Sequence, residues 1–407
     1  MVQRHKRNLA DKLFQGGLYM GKYVGAGAVA LSLMGCEHVP KPISVSTDGR
    51  YIAYSANREG GLNFLDQDVG ENAMVLYDTQ KNLVVNSFLI DGAPIWPTNG
   101  NNTLAYMTTK EDSDFSSVVI LTKDKYRTIE RAAYPELSLD GRFVVYTKVP
   151  PYSKRTESKK VIDNSFLILR EIASGRERNL GVTGLAADFS PDMKRLVYVG
   201  FETDGDDSEA NIEVLNLLTG AKNRLGQANP VEGVWSVAYP RWLDDNKVVF
   251  AGKTKTGKDS EILVATVDGG LTQVTDNDVQ DFLAGITKDG RVHYLTIDDE
   301  KLDEESSNDS PFLIDHDIIE PYIATQSIMG WSSKKSKVPV VKIVGDNAIF
   351  LGERDSLRIT PVSNLEELDD SKIKNISETA RRHVLEKYKT QQKLKDFSDA
   401  FFNLFRE

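Results

Sequence analysis

Carboxylates are the groups this sequence supplies most freely for chemistry. Glu202-Thr203-Asp204-Gly205-Asp206-Asp207-Ser208-Glu209 and Asp66-Gln67-Asp68-Val69-Gly70-Glu71 place acids one and two residues apart, the spacing with which oxygen-ligand loops hold calcium. Neither follows the full EF-hand spacing. Both read first as solvated hairpin tips, and calcium is the one cofactor they suggest. Histidine is scarce: His5, His38 and His383 lie near the ends, leaving His293 in Arg291-Val292-His293-Tyr294 and His316 in Asp315-His316-Asp317. A metal shared by these two is the minor reading beside an ordinary strand histidine and a loop histidine. A serine nucleophile elbow has the form G-x-S-x-G; Gly330-Trp331-Ser332-Ser333-Lys334 lacks the second glycine and reads as a surface loop. No residue is assigned as catalytic, metal-binding or cofactor-binding, and a non-enzymatic protein is expected.

Cys36 is the only cysteine among 407 residues, so an intrachain disulfide framework is excluded. Residues 1 to 22 carry Arg4, Lys6, Arg7, Lys12 and Lys22 against a single Asp11, and the charge-free run Val24 to Gly35 leads into Cys36. That order is an export signal. The run is too short and too rich in Gly and Ala to cross a bilayer as a helix, which needs about 20 apolar residues.

The elements that would carry any site recur along the chain. Thr47-Asp48-Gly49, Thr98-Asn99-Gly100, Leu139-Asp140-Gly141, Pro191-Asp192, Asp244-Asp245-Asn246, Lys288-Asp289-Gly290 and Gly345-Asp346-Asn347 are turns, and the strands after them end at Tyr54, Tyr106, Tyr146, Tyr198, Phe250, Tyr294 and Phe350. Asp-Gly and Asn-Gly tolerate the positive φ of hairpin turns, and the flanking β-branched and aromatic residues suit a pleated surface. The turn residues lie 51, 41, 52, 53, 44 and 57 residues apart, the scale of a four-stranded propeller blade. A second apolar strand follows in segments such as Phe166-Leu167-Ile168-Leu169 and Ile262-Leu263-Val264, and polar outer strands such as Leu271-Thr272-Gln273-Val274-Thr275 close the units. The expected fold is an all-β propeller of seven four-stranded blades, with six as the alternative because the last unit lacks a clear outer strand.

Val45-Ser46-Thr47-Asp48-Gly49-Arg50-Tyr51-Ile52-Ala53-Tyr54, Leu137-Ser138-Leu139-Asp140-Gly141-Arg142 and Phe189-Ser190-Pro191-Asp192 resemble the "S-P-D-G-x-x-I-A-Y" repeat of TolB-like propellers, across roughly residues 43 to 363. That repeat occurs in exported scaffold proteins, in propeller halves of prolyl-oligopeptidase-like peptidases and in some polysaccharide lyases, so it implies a fold and leaves the chemistry to the sites. No α/β domain such as precedes the propeller in TolB is expected from these residues, so partnerships that depend on that domain are not carried over. Leu33-Met34-Gly35-Cys36 is similar to the bacterial lipobox, which implies cleavage between Gly35 and Cys36 and lipidation of Cys36; Glu37 in place of aspartate then implies the periplasmic face of the outer membrane in a diderm cell. The alternatives are an uncleaved N-terminal anchor and an incidental buried thiol. The implied division is a signal peptide 1–35, a lipidated linker 36–42, the propeller 43–363 and a tail 364–407.

In the tail, Ile373, Ile376, Ala380, Val384 and Tyr388 and then Leu394, Phe397, Phe401 and Leu404 recur at helical spacing, which predicts two amphipathic helices or one broken one. They pack on the propeller, or Phe397, Phe401, Phe402 and Phe405 dock into a partner. Loss of residues 1–35 would take the formal charge from −10 to −14, which disfavours nucleic acid as a ligand; the basic run 153–160 reads as a solvated loop. Trp96 and Trp242 share a repeat position with Leu137 and Phe189 and are expected in the core, whereas Trp331 is the candidate for an exposed contact. The sequence therefore points to a lipid-anchored extracytoplasmic propeller that binds a protein partner of the cell envelope. The alternatives are a glycan- or peptide-active enzyme with its site at the axial channel, and a calcium-dependent sensor.

Overall fold

The computed structural model describes residues 43–45, 50–56, 73–89, 93–100, 103–109, 116–122, 126–149, 165–204, 207–228, 240–252, 260–287, 289–297, 319–327, 330–336, 340–344, 347–352, 356–365 and 372–375. The first sheet is β1 (Ile43–Val45), β2 (Tyr51–Ala56), β3 (Ala73–Asp78) and β4 (Leu83–Leu89). The second is β5 (Ala93–Gly100), β6 (Thr103–Thr109), β7 (Ser116–Thr122) and β8 (Tyr126–Glu130). A seven-stranded sheet follows: β9 (Ala132–Leu137), β10 (Phe143–Lys148), β11 (Phe166–Glu171), β12 (Glu177–Phe189), β13 (Arg195–Asp204), β14 (Asp207–Asn216) and β15 (Lys222–Ala228). Three four-stranded sheets complete the order: β16 (Arg241–Trp242), β17 (Lys247–Gly252), β18 (Glu261–Thr266), β19 (Leu271–Gln273); β20 (Gln280–Ile286), β21 (Val292–Ile297), β22 (Ile319–Ser327), β23 (Gly330–Lys335); and β24 (Val340–Val344), β25 (Asn347–Gly352), β26 (Ser356–Pro361), β27 (Lys374–Asn375).

Every pairing is antiparallel between consecutive strands. The wide sheet is two units sharing β12, whose first half pairs with β11 (Phe166↔Thr183) and whose second half pairs with β13 (Gly184↔Gly200). First strands of neighbouring units touch in turn, β1 with β5, β5 with β9, β9 with β12, β12 with β16 and β20 with β24, and β24 returns to β1. This radial arrangement of meanders is a β-propeller. The first and last sheets each contain only consecutive strands, so among the described residues the ring closes by packing of β24 on β1 and not by a shared strand.

The turns form for a local reason. Ser138 Oγ donates to Asp140 Oδ1 at 2.7 Å and accepts from Phe143 N at 2.9 Å, while Arg142 N donates to Asp140 Oδ1 at 3.0 Å. Ser190, Asp192, Lys194 and Arg195 repeat this geometry at 2.6, 3.0 and 2.9 Å, and Thr287 with Asp289 supplies it before β21. Burial works against the charge of Asp140 and Asp192, but the hydroxyl and amide donors hold both carboxyls below their usual range. A small hydroxyl residue two positions before an aspartate is thus a turn lock.

Five second strands set an aromatic residue against the preceding unit. Tyr106 packs with Ala53 and Met74, Tyr146 with Ala105, Val118 and Ile120, Tyr198 with Val145 and Leu167, Phe250 with Val197 and Ile212, and Tyr294 with Val249 and Ile262. Tyr54, Tyr146, Tyr198 and Phe250 are fully buried. Opposite Tyr106, Tyr146 and Tyr198 the first strand carries an extra residue, the register jumping between Ile95 and Thr98, Ala133 and Glu136, and Leu185 and Asp188. Tyr134 and Ala186, the first bulged residues, adopt φ of 51°, and such bulges re-aim the side chains that follow.

Three expectations change. Thr98, Asn99 and Gly100 belong to β5, Gly100 pairing with Thr103, so the Asn-Gly pair ends a strand; the Trp96-Pro97 bulge lies in the same strand, where a proline without an N–H is tolerated. Trp96 therefore aligns with Tyr134 and Ala186, while Trp242 does align with Leu137 and Phe189 and is buried. Residues 330–335 form the strand β23 instead of a loop, with Trp331 partly buried against the cluster of Val249, Ile262 and Tyr294. Beyond residue 363, Lys374 and Asn375 pair with Ile359 and Arg358 as the outer strand of the last unit, and Ile373 lies just before it outside any helix. The tail from 376 onward lies outside the described residues.

Gly184 allows β12 to pass under Tyr198: a Cβ there would stand 2.6 Å from the Val199 carbonyl oxygen and 2.7 Å from the Tyr198 ring. Gly184→Ala is expected to cost about 1–3 kcal/mol by overpacking, read as a lower denaturation midpoint in urea with an unchanged slope; an unchanged midpoint would contradict this packing.

Candidate functional site

The register defines one position in every first strand. Ser44, Thr98, Glu136, Asp188, Arg241, Gly285 and Lys342 lie opposite Ala53, Ala105, Val145, Val197, Val249, His293 and Ile349 of the second strands. Six of the seven first-strand residues are polar, and their partners are aliphatic except for His293. Because first strands are neighbours around the axis, these polar groups come together across units.

Four consecutive units are joined this way. Thr98 Oγ1 donates to Glu136 Oε1 at 3.0 Å and accepts from Leu137 N at 3.1 Å. Arg241 Nη1 stands 3.4 Å from Glu136 Oε2 and 3.3 Å from Asp188 Oδ1. Asp188 Oδ2 accepts from Trp242 N at 3.3 Å, and its carbonyl accepts from Trp242 Nε1 at 3.1 Å. The Trp242 ring in turn lies 5.3 Å from the Arg195 guanidinium, within cation–π range. Burial opposes the charge on Arg241, yet Asp188 and Glu136 outweigh it and raise its affinity for the proton. All four carboxylate oxygens are engaged, so the arrangement binds first strands to one another and holds a cation between two acids.

The sequence carried a signal for this cluster that went unread. Glu136, Asp188 and Arg241 stand four residues before Asp140, Asp192 and Asp245, and Thr98 stands four before Asn102, which precedes β6. The displaced turn assignment hid the equivalence.

His293 is the exception on the opposite strand. It is 1% exposed, and neither ring nitrogen has a hydrogen-bond partner among the described residues. It occupies a place where other units carry Ala, Val or Ile, facing Gly285. Burial, aided by Arg291 and opposed by Asp289, pushes its pKa down to about 4. Among the described residues no group of three or more His, Cys, Asp or Glu could hold a metal. His316, Cys36, Gly35, Trp235, the acidic segment 66–71 and Phe397, Phe401, Phe402 and Phe405 lie outside the described residues. The second acidic segment forms the facing ends of β13 and β14, Asp204 pairing with Asp207.

Two outcomes are expected. Arg241→Met leaves Glu136 and Asp188 facing each other without their cation and should cost about 1–3 kcal/mol, discounted for partial exposure; adding Glu136→Gln should recover part of it in a denaturation double-mutant cycle, and strict additivity would refute the coupling. His293 stays neutral in the fold while the unfolded chain protonates near 6.5, so stability should fall by up to about 3 kcal/mol between pH 6.5 and 4 and level off below. His293→Val should flatten that slope in urea unfolding at pH 7, 5.5 and 4.5.

No family model matches this sequence, and neither does any curated protein. Solved structures do resemble it. TolB from Acinetobacter baumannii matches at 13% identity over 73% of this chain and 75% of that chain, with a TM-score of 0.41. The β-propeller domain of the Trilobed protease from Pyrococcus furiosus matches at 14% identity over 66% of this chain and 81% of that chain, TM-score 0.45. Acylaminoacyl peptidase from Pyrococcus horikoshii matches at 12% identity over 69% of this chain, TM-score 0.45, and the chain spans less than half of that peptidase, 45%. Likeness of this degree brings no activity, substrate or partner to this chain.

Proposed function

We propose that this protein is a non-catalytic, extracytoplasmic propeller, held at a membrane by a lipid on Cys36, that serves as a scaffold for a protein partner of the cell envelope. The observation that carries this reading is the use of the inner polar residues. Thr98, Glu136, Asp188 and Arg241 spend their hydrogen-bonding capacity on one another across four units, which stiffens the ring and suits a platform more than a proton-transfer site. The basic, then apolar, then cysteine order of residues 4–36 supports export and acylation. The tail aromatics Phe397, Phe401, Phe402 and Phe405 supply the docking contact.

A second reading draws on the same cluster: Glu136, Asp188 and Arg241, 29% exposed at the arginine, would be the working groups of a glycan- or peptide-active enzyme at the axis. Turnover of a peptide or glycan panel that Glu136→Gln abolishes would establish that reading over the scaffold.

Crosslinking in the native envelope and purification of the full chain should recover a stoichiometric protein partner that deletion of residues 392–407 removes. Recovery of the protein alone would refute the scaffold assignment. Cys36→Ala should leave an unprocessed precursor or release a soluble form, and a mature-size variant that still partitions with membranes would rule out the lipid anchor.

A further inference from the structure

A cleft of about 350 Å³ opens between the outer half of the second unit and the turns of the third. Arg127 on β8 and Arg142 in the turn after β9 line it, with Ile120 and Ile172 as apolar walls. Neither arginine forms an ion pair among the described residues, although the chain carries a formal charge of −10. Arg127 is held in place by donating from Nη1 to the Ile172 carbonyl at 3.1 Å. Arg142 is exposed and its guanidinium stands 5.4 Å from the Phe143 ring. The one acid in the lining, Glu171, is already taken by Arg176 at 2.8 Å and by the Ser174 hydroxyl. Two guanidinium groups without an ion pair among the described residues therefore line a cavity whose own carboxylate is engaged by Arg176 and Ser174. Guanidinium forks pair with carboxylates.

The wall that carries Arg127 is also a sheet edge. β8 pairs with β7 alone among the described residues, and Tyr126 at its start is 74% exposed. A strand edge offers backbone donors and acceptors to an extended peptide. The cavity is at the small end for ligand clefts, about 300 Å³ and upward, which suits one or two side chains and not a whole cofactor.

We infer that this cleft binds an extended acidic peptide, which adds to the free edge of β8 and sets its carboxylates against Arg127 and Arg142. The cleft shares no residue with the tail or the axial cluster, so it stands or fails independently of the function proposed above.

The test is fluorescence anisotropy of the purified full chain with a labelled octapeptide of alternating valine and glutamate. Saturable binding is expected, weakened about tenfold by Arg127→Gln with Arg142→Gln and about tenfold by glutamine in place of the peptide's glutamates, as for lost charge pairs. Glutamine at 127 keeps a donor for the Ile172 carbonyl, and an unchanged melting temperature would confirm an intact fold. Equal binding by the double variant, or none at 1 mM peptide, overturns the site. Displacement by glutarate at peptide-like concentrations would show a small-anion pocket and overturn the peptide assignment. Loss of binding on N-methylation of alternate peptide residues supports pairing with β8.

Discussion

The ring depends on buried aromatic side chains, Tyr106, Tyr146, Tyr198, Phe250 and Tyr294, each set into the face of the unit before it. Because no strand is shared between the first and last sheets among the described residues, the hydrogen bonds described hold each unit together but do not close the circle. Closure rests on side-chain packing. Fully burying one such ring stabilises by roughly 2–3 kcal/mol, so the circle is secured by several similar contacts and no single one dominates. The bulge opposite the aromatic is the backbone's accommodation to it, and the same bulge determines where the next first-strand residue points. Apolar packing on one face and polar contacts at the axis are thus set by a single local irregularity, repeated.

The polar parts of the repeat are built on this frame. The Ser-x-Asp lock closes the turns four residues beyond Glu136 and Asp188, and Asp244 closes the turn after Arg241; the strand register brings Thr98, Glu136, Asp188 and Arg241 to equivalent heights. Their ion pairs would contribute little on an open surface. Partly buried and shared between units, they specify neighbours instead: two acids are followed by one arginine, so the unit of Arg241 is distinguished by charge from the acidic units before it.

Much of the fold was legible because turn chemistry is local. Asp140, Asp192 and Asp289 announce their hairpins with a hydroxyl two residues earlier, and Tyr146, Tyr198 and Phe250 mark second strands by composition. What was missed depends on geometry that sequence spacing does not record. Asn99 and Gly100 have the composition of a turn but lie in β5, and this hid the alignment of Thr98. β23, with serines and lysines on an outer strand, has the composition of a loop. β27 is two residues long and is defined by its partner β26, not by any propensity of Lys374 and Asn375. The axial cluster emerges only when strands from different units are placed side by side. The arginines of the cleft could be named from sequence, but not the fact that Glu171 is already engaged by Arg176 and Ser174.

The continuous 13-residue strand β12 has a mechanical meaning. Elsewhere a connection separates one sheet from the next and can act as a hinge, but β12 runs from the rim of the third unit to the axis of the fourth without leaving the hydrogen-bonded ladder. Those two units lack a seam between them. Opening one strains the ladder of the other, so they form one cooperative block in the sense of local unfolding. Among the described residues, separation of one unit from the next therefore meets more hydrogen bonds within the arc from β9 to β15 than at the junction of β24 with β1.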